Sequence, residues 1–143
     1  MHPLVTLFVS SSACDGNLFV YLEDVDEAGK VRYVTEGELR ALHRKVRNVD
    51  ESSPHRTPVP YHTFRREDAA PLVPGEVAEL TVDLQPTSYR FKQGHAIRLA
   101  LAGADKDFFA PLSGEPPDLT FHRGTPYPSR IALPVMPSSQ SAE

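Results

Sequence analysis

Apolar and polar residues alternate with a period of two along most of the chain. The clearest runs place three sets of apolar residues on one face each: Val5, Leu7 and Val9; Leu80, Val82 and Leu84; and Ile97, Leu99 and Leu101. This period is typical of β-strands with one buried face, whereas a helix would repeat every three to four residues. The pattern therefore predicts three strands with these residues facing inward.

Further segments extend the same pattern. Residues 18–25 are apolar on both faces, which predicts a central, deeply buried strand. The turn residues 26–29 then lead into a predicted strand at 31–35. Glu36-Gly37 is predicted to break this run. Residues 38–44 fit either a helix or a strand, and we favour a strand because the surrounding pattern is β.

The rest of the chain contains short runs separated by long loops. Residues 61–67 are predicted to be extended, and 119–122 and 129–135 to form the last strands. Two long loops, 46–60 and 103–117, separate these elements. About eight short strands without a convincing helix predict an all-β fold, an antiparallel β-sandwich. The long crossing loops favour a jelly roll over a simple meander.

Length and composition are consistent with this fold. The 143 residues suit a single domain, which we assign to 1–137, followed by a flexible polar tail at 138–143. The 14 prolines are about twice the usual share of roughly 5% and favour short strands joined by loops.

The charge pattern argues against a nucleic-acid partner. The formal net charge is −4, and the basic residues form no stripe. The one basic cluster, 40–47, is read as a solvated strand end. Its charges are balanced by nearby acidic residues: Glu36, Glu38, Asp50 and Glu51.

No targeting or membrane segment is predicted. The apolar run at 4–9 is too short for a signal peptide, and no stretch approaches the roughly 20 apolar residues of a membrane span. The single cysteine, Cys14, excludes an intrachain disulfide and is compatible with a cytoplasmic location. Cys14 lies in a turn-like run without a nearby histidine, so an incidental role is favoured over a nucleophilic one.

The sequence carries no hydrolase motif. An α/β-hydrolase serine needs a Gly-x-Ser-x-Gly turn, and neither Ser88 nor Ser113 has the flanking glycines. Triad members can be far apart in sequence, so spacing alone does not exclude a triad. We predict no catalytic, cofactor-binding or metal-binding residue in this chain.

The sequence leaves two alternative metal sites open. The first comprises His55 and His62, which lie in or beside the proline-rich loop 46–60 with Asp50 and Glu51 nearby, although solvated loop histidines are favoured there. The histidines are His2, His43, His55, His62, His95 and His122, and no two of them have the spacing of a zinc motif. Asp105, Asp107 and Asp118 could contribute to a calcium loop, although the glycine and distal glutamate of an EF-hand are missing.

A carbohydrate-binding module is a second function hypothesis. Such modules expose aromatic side chains on a loop or a concave face. The candidates here are Tyr61, Phe64, Phe108, Phe109 and Tyr127. Most aromatic residues nevertheless occupy strand positions, where core packing explains them better.

Three parts of the chain resemble a known family. The first comprises 5–11 and 19–25 with Thr35-Glu36-Gly37, and the second runs from Pro71-Leu72-Val73-Pro74-Gly75-Glu76 to Gly94-His95 and Ile97-Arg98-Leu99. The third is Pro128-Ser129-Arg130 with Leu133-Pro134-Val135. Together they resemble the C-terminal domain of Xaa-Pro dipeptidyl-peptidases, cocaine esterase and related acyl hydrolases.

The resemblance implies a galactose-binding-like jelly roll without catalytic residues. It also implies a partner, namely an α/β-hydrolase catalytic domain in a longer chain, on which this domain packs and whose active-site region it helps close.

Two departures from the family pattern matter. Ala96 stands where the family has arginine after Gly-His. His2-Pro3 resembles a Gly-His-Pro that the family places after at least one earlier strand. We therefore expect a sandwich that lacks its first strand or strands and self-associates through an unpaired edge that leaves apolar surface such as Phe8 uncovered.

Overall fold

The structure, a computed structural model, describes residues 2–47, 59–112 and 114–136. It contains seven strands: β1 Leu4–Ser11, β2 Asn17–Val25, β3 Val31–Arg40, β4 Ala78–Asp83, β5 Ala96–Ala102, β6 Leu119–His122 and β7 Arg130–Ala132. Two single 3-10 turns lie at Ala41–His43 and Arg66–Asp68. The predictions for Asp50, Glu51, His55, Ser113 and the tail 138–143 lie outside the described residues.

The strands form two antiparallel sheets. In the first, β1 is central, with β4 on one side and β6 and β7 on the other, where they pair with successive parts of β1. In the second, β2 lies between β3 and β5. The prediction of an all-β antiparallel sandwich is confirmed.

The core lies between the two central strands, as the alternation predicted. Val5, Leu7 and Val9 of β1 are buried, and they belong to one apolar cluster with residues of β2 and β4. That cluster includes Leu18, Val20, Leu22, Leu80, Val82 and Leu84. The predicted deep burial of β2 is also confirmed, since Phe19 on its other face is buried too.

The predicted break at Glu36-Gly37 is wrong. β3 continues through Gly37 to Arg40, and only Ala41–His43 turns into a 3-10 helix. Gly37 serves a close approach instead of a turn, because a Cβ at this position would lie 2.3 Å from the Asp83 carbonyl oxygen. The chain leaving β4 crosses β3 here, where Gln85 N donates to Glu36 O at 2.8 Å.

The segment 61–67 does not form a strand. Tyr61 makes an isolated bridge with Arg47, and the chain then passes into the 3-10 turn Arg66–Asp68. Nearby, the His62 ring Nε2 donates to Thr81 O at 3.0 Å. Because Thr81 belongs to the edge strand β4, this bond satisfies an edge carbonyl that would otherwise face solvent.

One side of the sandwich is closed and the opposite side is open. On the closed side, three inward-facing residues of β3 and β4 are at most 4% exposed, namely Leu39, Leu80 and Val82. On the other side, the inward-facing residues of β5, β6 and β7 are only half-buried, and Ile97 is 49% exposed. We call this surface the open side and define it by Ile97, Leu99, Leu101, Leu119, Phe121 and Ile131.

The prediction that Ile97, Leu99 and Leu101 face inward is correct, but none of the three is fully buried. Register places Ile97 opposite Asp24 and Leu99 opposite Leu22, so these side chains share the inner face of their sheet. No described strand pairs with the outer edge of β5.

Within the described ranges, no helix is long and apolar enough to cross a bilayer.

Candidate functional site

A buried carboxylate near the end of β2 organises the most polar part of the fold. Asp24 is 4% exposed. Its Oδ2 accepts a hydrogen bond from the Tyr89 hydroxyl at 2.6 Å, and His95 Nδ1 lies 2.9 Å from Oδ1. Since a carboxylate only accepts, Nδ1 donates, and the proton on this nitrogen is fixed by the bond.

These contacts also set the electrostatics of the cluster. The pKa of Asp24 is lowered, chiefly by the hydrogen bond from Tyr89. Desolvation acts in the opposite direction, and the hydrogen bond from His95 adds to the lowering. The hydrogen bond between Tyr89 and Asp24 also raises the pKa of Tyr89. The cluster therefore holds Asp24 ionised and joins β2 to the segment that enters β5.

This cluster explains the Gly94-His95 pair. Gly94 has a φ of +84° in the turn before β5, a conformation that favours glycine. The turn aims His95 at Asp24. Ala96 follows at the first position of β5 and is exposed. Sequence reasoning noted Gly-His but had no signal for the partner, which lies 71 residues earlier.

The Pro71–Gly75 stretch has a similar structural role. Leu72 N donates to Cys14 O at 2.8 Å, and Gly75 N donates to Ser11 O at 2.9 Å. The stretch therefore docks on the turn between β1 and β2 and buries Leu72 in the core. The Cys14 side chain is exposed and free.

A serine–histidine pair that the sequence did not indicate lies on the outer face of the first sheet. Ser10 Oγ is 2.9 Å from His122 Nε2. Ser10 belongs to a regular central strand instead of the strained elbow that exposes a hydrolase nucleophile. Among the described residues, no carboxylate hydrogen bonds to His122, so the pair lacks the orienting acid of a triad.

The remaining sequence candidates are spread over the fold. His2 Nδ1 lies 3.2 Å from Leu84 O, and the His43 ring lies 5.4 Å from the Phe64 ring. Ser88 is exposed. In the part of the chain that the structure describes, no three histidine, cysteine or acidic residues are grouped as metal ligands.

The segment considered as an alternative calcium loop is held together by protein contacts. Asp105 accepts the Tyr21 hydroxyl at 2.7 Å through Oδ2 and the amides of Asp107 and Phe108 through Oδ1. Burial, and then this carboxylate, raises the pKa of Tyr21 to about 12. Asp105 thus fixes the 103–112 loop over the outer face of the second sheet. That loop places Phe109 on Phe19, with 4.8 Å between ring centroids.

The aromatic candidates for sugar stacking fall in three separate places. Phe108 and Phe109 lie on the 103–112 loop, whereas Tyr61 and Phe64 lie beside β4. Tyr127 contacts the Phe8 ring on the outer face of the first sheet, at 5.7 Å between centroids. The five residues therefore form no common platform, and the carbohydrate-binding alternative is not favoured.

Asp68 is a structural centre that the sequence analysis missed. It is 4% exposed and accepts hydrogen bonds from Arg47 Nε at 2.9 Å and Thr63 Oγ1 at 2.7 Å. Lys45 Nζ lies 3.1 Å from the same carboxylate. These contacts hold the pKa of Asp68 well below its usual range, and the hydrogen bond from Arg47 has the largest effect.

Among the described residues, the basic cluster 40–47 pairs with acidic residues other than the predicted Glu36 and Glu38. Arg40 pairs with Asp15 at 2.7 Å, and Lys45 and Arg47 pair with Asp68. Glu36 and Glu38 form no ion pair with any described residue.

Ser129 joins three strands of the first sheet. Its Oγ accepts the amide of Phe8 at 3.0 Å and donates to His122 O at 2.5 Å. We expect Ser129→Ala to lower the free energy of unfolding by about 1–3 kcal/mol, because it leaves the strand amide of Phe8 without an acceptor. Hydrogen exchange at Phe8 should accelerate as well. Ser88→Ala, at an exposed serine, is the control, and an equal effect of both changes would contradict the assignment.

The chain belongs to the family of the X-Pro dipeptidyl-peptidase C-terminal non-catalytic domain, whose model matches residues 2–132. Proteins of Mycobacterium bovis and Mycobacterium tuberculosis, each provisionally named a serine esterase, are 55% identical to it over 135 residues. The alignment covers 94% of this chain and 21% of each relative. The chain thus spans about a fifth of the length of these curated relatives.

Other matches are shorter or more distant in sequence. A Streptomyces avermitilis protein, provisionally named an Xaa-Pro dipeptidyl-peptidase, is 41% identical over 46 residues, which are 32% of this chain and 7% of that protein. Two crystal structures of a CocE/NonD family hydrolase from Staphylococcus aureus match with TM-scores of 0.68 and 0.69 at 19% identity. Each match covers 91% of this chain, and the two matches cover 27% and 26% of the respective Staphylococcus aureus chains. These matches support the fold.

Proposed function

We propose that this chain acts as the non-catalytic C-terminal domain of a serine hydrolase of the Xaa-Pro dipeptidyl-peptidase and acyl-esterase type. In this role it packs on an α/β-hydrolase catalytic domain and helps close the active-site region. Family membership and the short span relative to the mycobacterial relatives support this proposal.

The open side is the observation that carries the proposal. Its apolar residues face inward but are only half-buried. The strands that border it are β5 in one sheet and β6 and β7 in the other, and their outer edges have no described partner strand. Free strand edges and contiguous apolar surface recruit other polypeptide. We infer that the remainder of a longer hydrolase covers this side.

A direct test is turnover by this chain alone. We expect no hydrolysis of Xaa-Pro-anilides or simple esters above the background rate. Measurable turnover that Ser10→Ala or another serine substitution abolishes would refute the proposal.

The same geometry predicts self-association when the open side has no other partner. We expect a concentration-dependent dimer in sedimentation or light scattering. Ile97→Glu should weaken it at least about tenfold, because a charge would be buried against apolar residues. Val73→Glu is the matched control, because Val73 is 55% exposed on a turn and Ile97 is 49% exposed. A strictly monomeric mass at high concentration would contradict this prediction.

Further features of the proposed role rest on composition and resemblance. The acidic net charge supports a protein without a nucleic-acid partner. The free Cys14 is compatible with a cytoplasmic location. We propose no membrane partner for this chain. The galactose-binding-like jelly-roll topology stays a prediction.

A further inference from the structure

A groove lies on the closed side of the sandwich, away from the open side. It runs between the edge strands β3 and β4, beneath the segment 59–64, and has a volume of about 490 Å³. Sites for small molecules usually measure roughly 300–1,000 Å³ and are lined mainly by apolar groups. Here Leu39, Val82, Tyr61 and Phe64 contribute apolar walls.

The charged groups of the groove are acidic. Glu38 and Asp83 line it, and Glu36 is close enough to affect Glu38. Desolvation of the carboxyl, followed by the charges of Glu36 and Asp83, raises the pKa of Glu38, although the residue as a whole is exposed. Glu38 has no ion-pair partner among the described residues, and the basic side chain beside Asp83 is that of His2, whose Nδ1 lies 3.9 Å from Asp83 Oδ2. A bound cation would relieve this repulsion.

A buried histidine forms part of the wall of the groove. His62 lines the groove and is 8% exposed. Its Nε2 must donate to Thr81 O, since a carbonyl only accepts. In the neutral ring, Nδ1 is then an acceptor, and it is buried without a hydrogen-bond partner in the described part of the chain. Because the surrounding protein encloses this nitrogen, it belongs to the wall of the groove and not to the groups that a ligand would contact.

Aromatic side chains complete the groove. Phe64 has a φ of +55°, the only positive value at a described residue other than glycine, and its side chain is 62% exposed. Its ring lies 6.1 Å from the His62 ring. Tyr61, also exposed, lies on the same groove. Aromatic faces attract both apolar groups and cations.

We propose that this groove binds a small organic ammonium ion that carries an aromatic ring. The ammonium group pairs with the carboxylate of Glu38, with Asp83 adding attraction. The ring of the ligand packs between Tyr61 and Phe64. This binding site is separate from the open side and does not depend on the proposed packing against a catalytic domain.

The test uses 2-phenylethylammonium as the probe, with calorimetry and NMR titration of the full chain. We expect saturable one-to-one binding, with shifts at His62 and Phe64. Phenylacetate, which has the same ring and the opposite charge, should not bind. Methylammonium, which lacks the ring, should bind at least about tenfold more weakly.

Variants assign the binding to the groove. Glu38→Gln should weaken it at least about tenfold, because a charge-assisted hydrogen bond is lost, and Phe64→Ala should also weaken it. Glu79→Gln on the exposed face of β4 is the matched control and should change the affinity less than twofold. Unchanged affinity in Glu38→Gln, equal binding of phenylacetate, or binding only of lysine-containing peptides would each overturn the proposal.

Discussion

Replacing Gly37 by alanine is expected to lower the free energy of unfolding by about 3 kcal/mol, at the upper end of what overpacking costs. The added Cβ would lie 2.3 Å from Asp83 O and 2.9 Å from Leu84 Cδ2. The first of these is a backbone atom that cannot rotate away. Relief therefore requires moving the crossing between β3 and the chain that leaves β4.

Urea unfolding of the variant and the wild type measures this effect. Gly103→Ala is the control, because the nearest atom to its added Cβ is Leu119 Cδ1 at 3.4 Å, an ordinary contact. We expect that change to alter stability by less than about 1 kcal/mol. A loss in Gly37→Ala no larger than in Gly103→Ala would contradict the close-approach explanation.

Gly37 also marks where reading the sequence failed. A lone glycine between two apolar runs suggests a turn, and nothing local distinguishes a turn from a close approach by a distant chain. The approaching residue, Asp83, lies 46 positions later. The alternation itself predicted β1 and β4 correctly, because each of these strands has one face in the core. The run of residues that is apolar on both faces predicted β2.

Acid is expected to destabilise the fold through three carboxylates. Hydrogen bonds from Tyr89, Arg47 and Tyr21, respectively, lower the pKa values of Asp24, Asp68 and Asp105. A carboxylate with a depressed pKa in the folded state stabilises the fold above its unfolded value of about 3.9 and loses this effect as the pH falls through the folded value. Stability should therefore be highest above about pH 5 and decline progressively below pH 4. The raised pKa of Glu38 acts in the opposite direction and offsets part of the effect.

The measurement is the free energy of unfolding from pH 6 to pH 2.5. Its slope gives the protons taken up on unfolding, which we expect to reach up to about three below pH 4. Asp68→Asn should reduce this uptake by about one proton and lower stability at pH 6. Asp107→Asn is the control, because no described residue contacts its carboxylate through a hydrogen bond or ion pair. Identical pH profiles for Asp68→Asn and the wild type would rule out the assigned role of Asp68.

The polar centres could not be predicted from the sequence for a related reason. Asp24 and His95 are brought together only by the pairing of β2 with β5, and Asp68 meets Arg47 only after the chain has looped back. The Gly94-His95 pair was recognisable as a family motif, but the resemblance alone did not identify its hydrogen-bond partner.

The open side shows a different limit. Alternation in β5 correctly assigns Ile97, Leu99 and Leu101 to an inner face. It carries no information on whether another layer covers that face. The burial of the inward-facing side chains reveals which side of the sandwich is open, because Leu80 and Val82 of β4 are buried and Ile97 of β5 is exposed.

The most direct test of the proposed role is a chimera in which this chain replaces the matching segment of the Mycobacterium tuberculosis relative. Hydrogen exchange of the β5 amides that do not bond to β2 is then compared between the chimera and the dilute isolated chain. If the rest of the hydrolase covers the open side, these amides should exchange at least about tenfold more slowly in the chimera, and Ile97→Glu but not Val73→Glu should remove that protection. Equal exchange rates in a folded chimera and in the isolated chain would contradict the account.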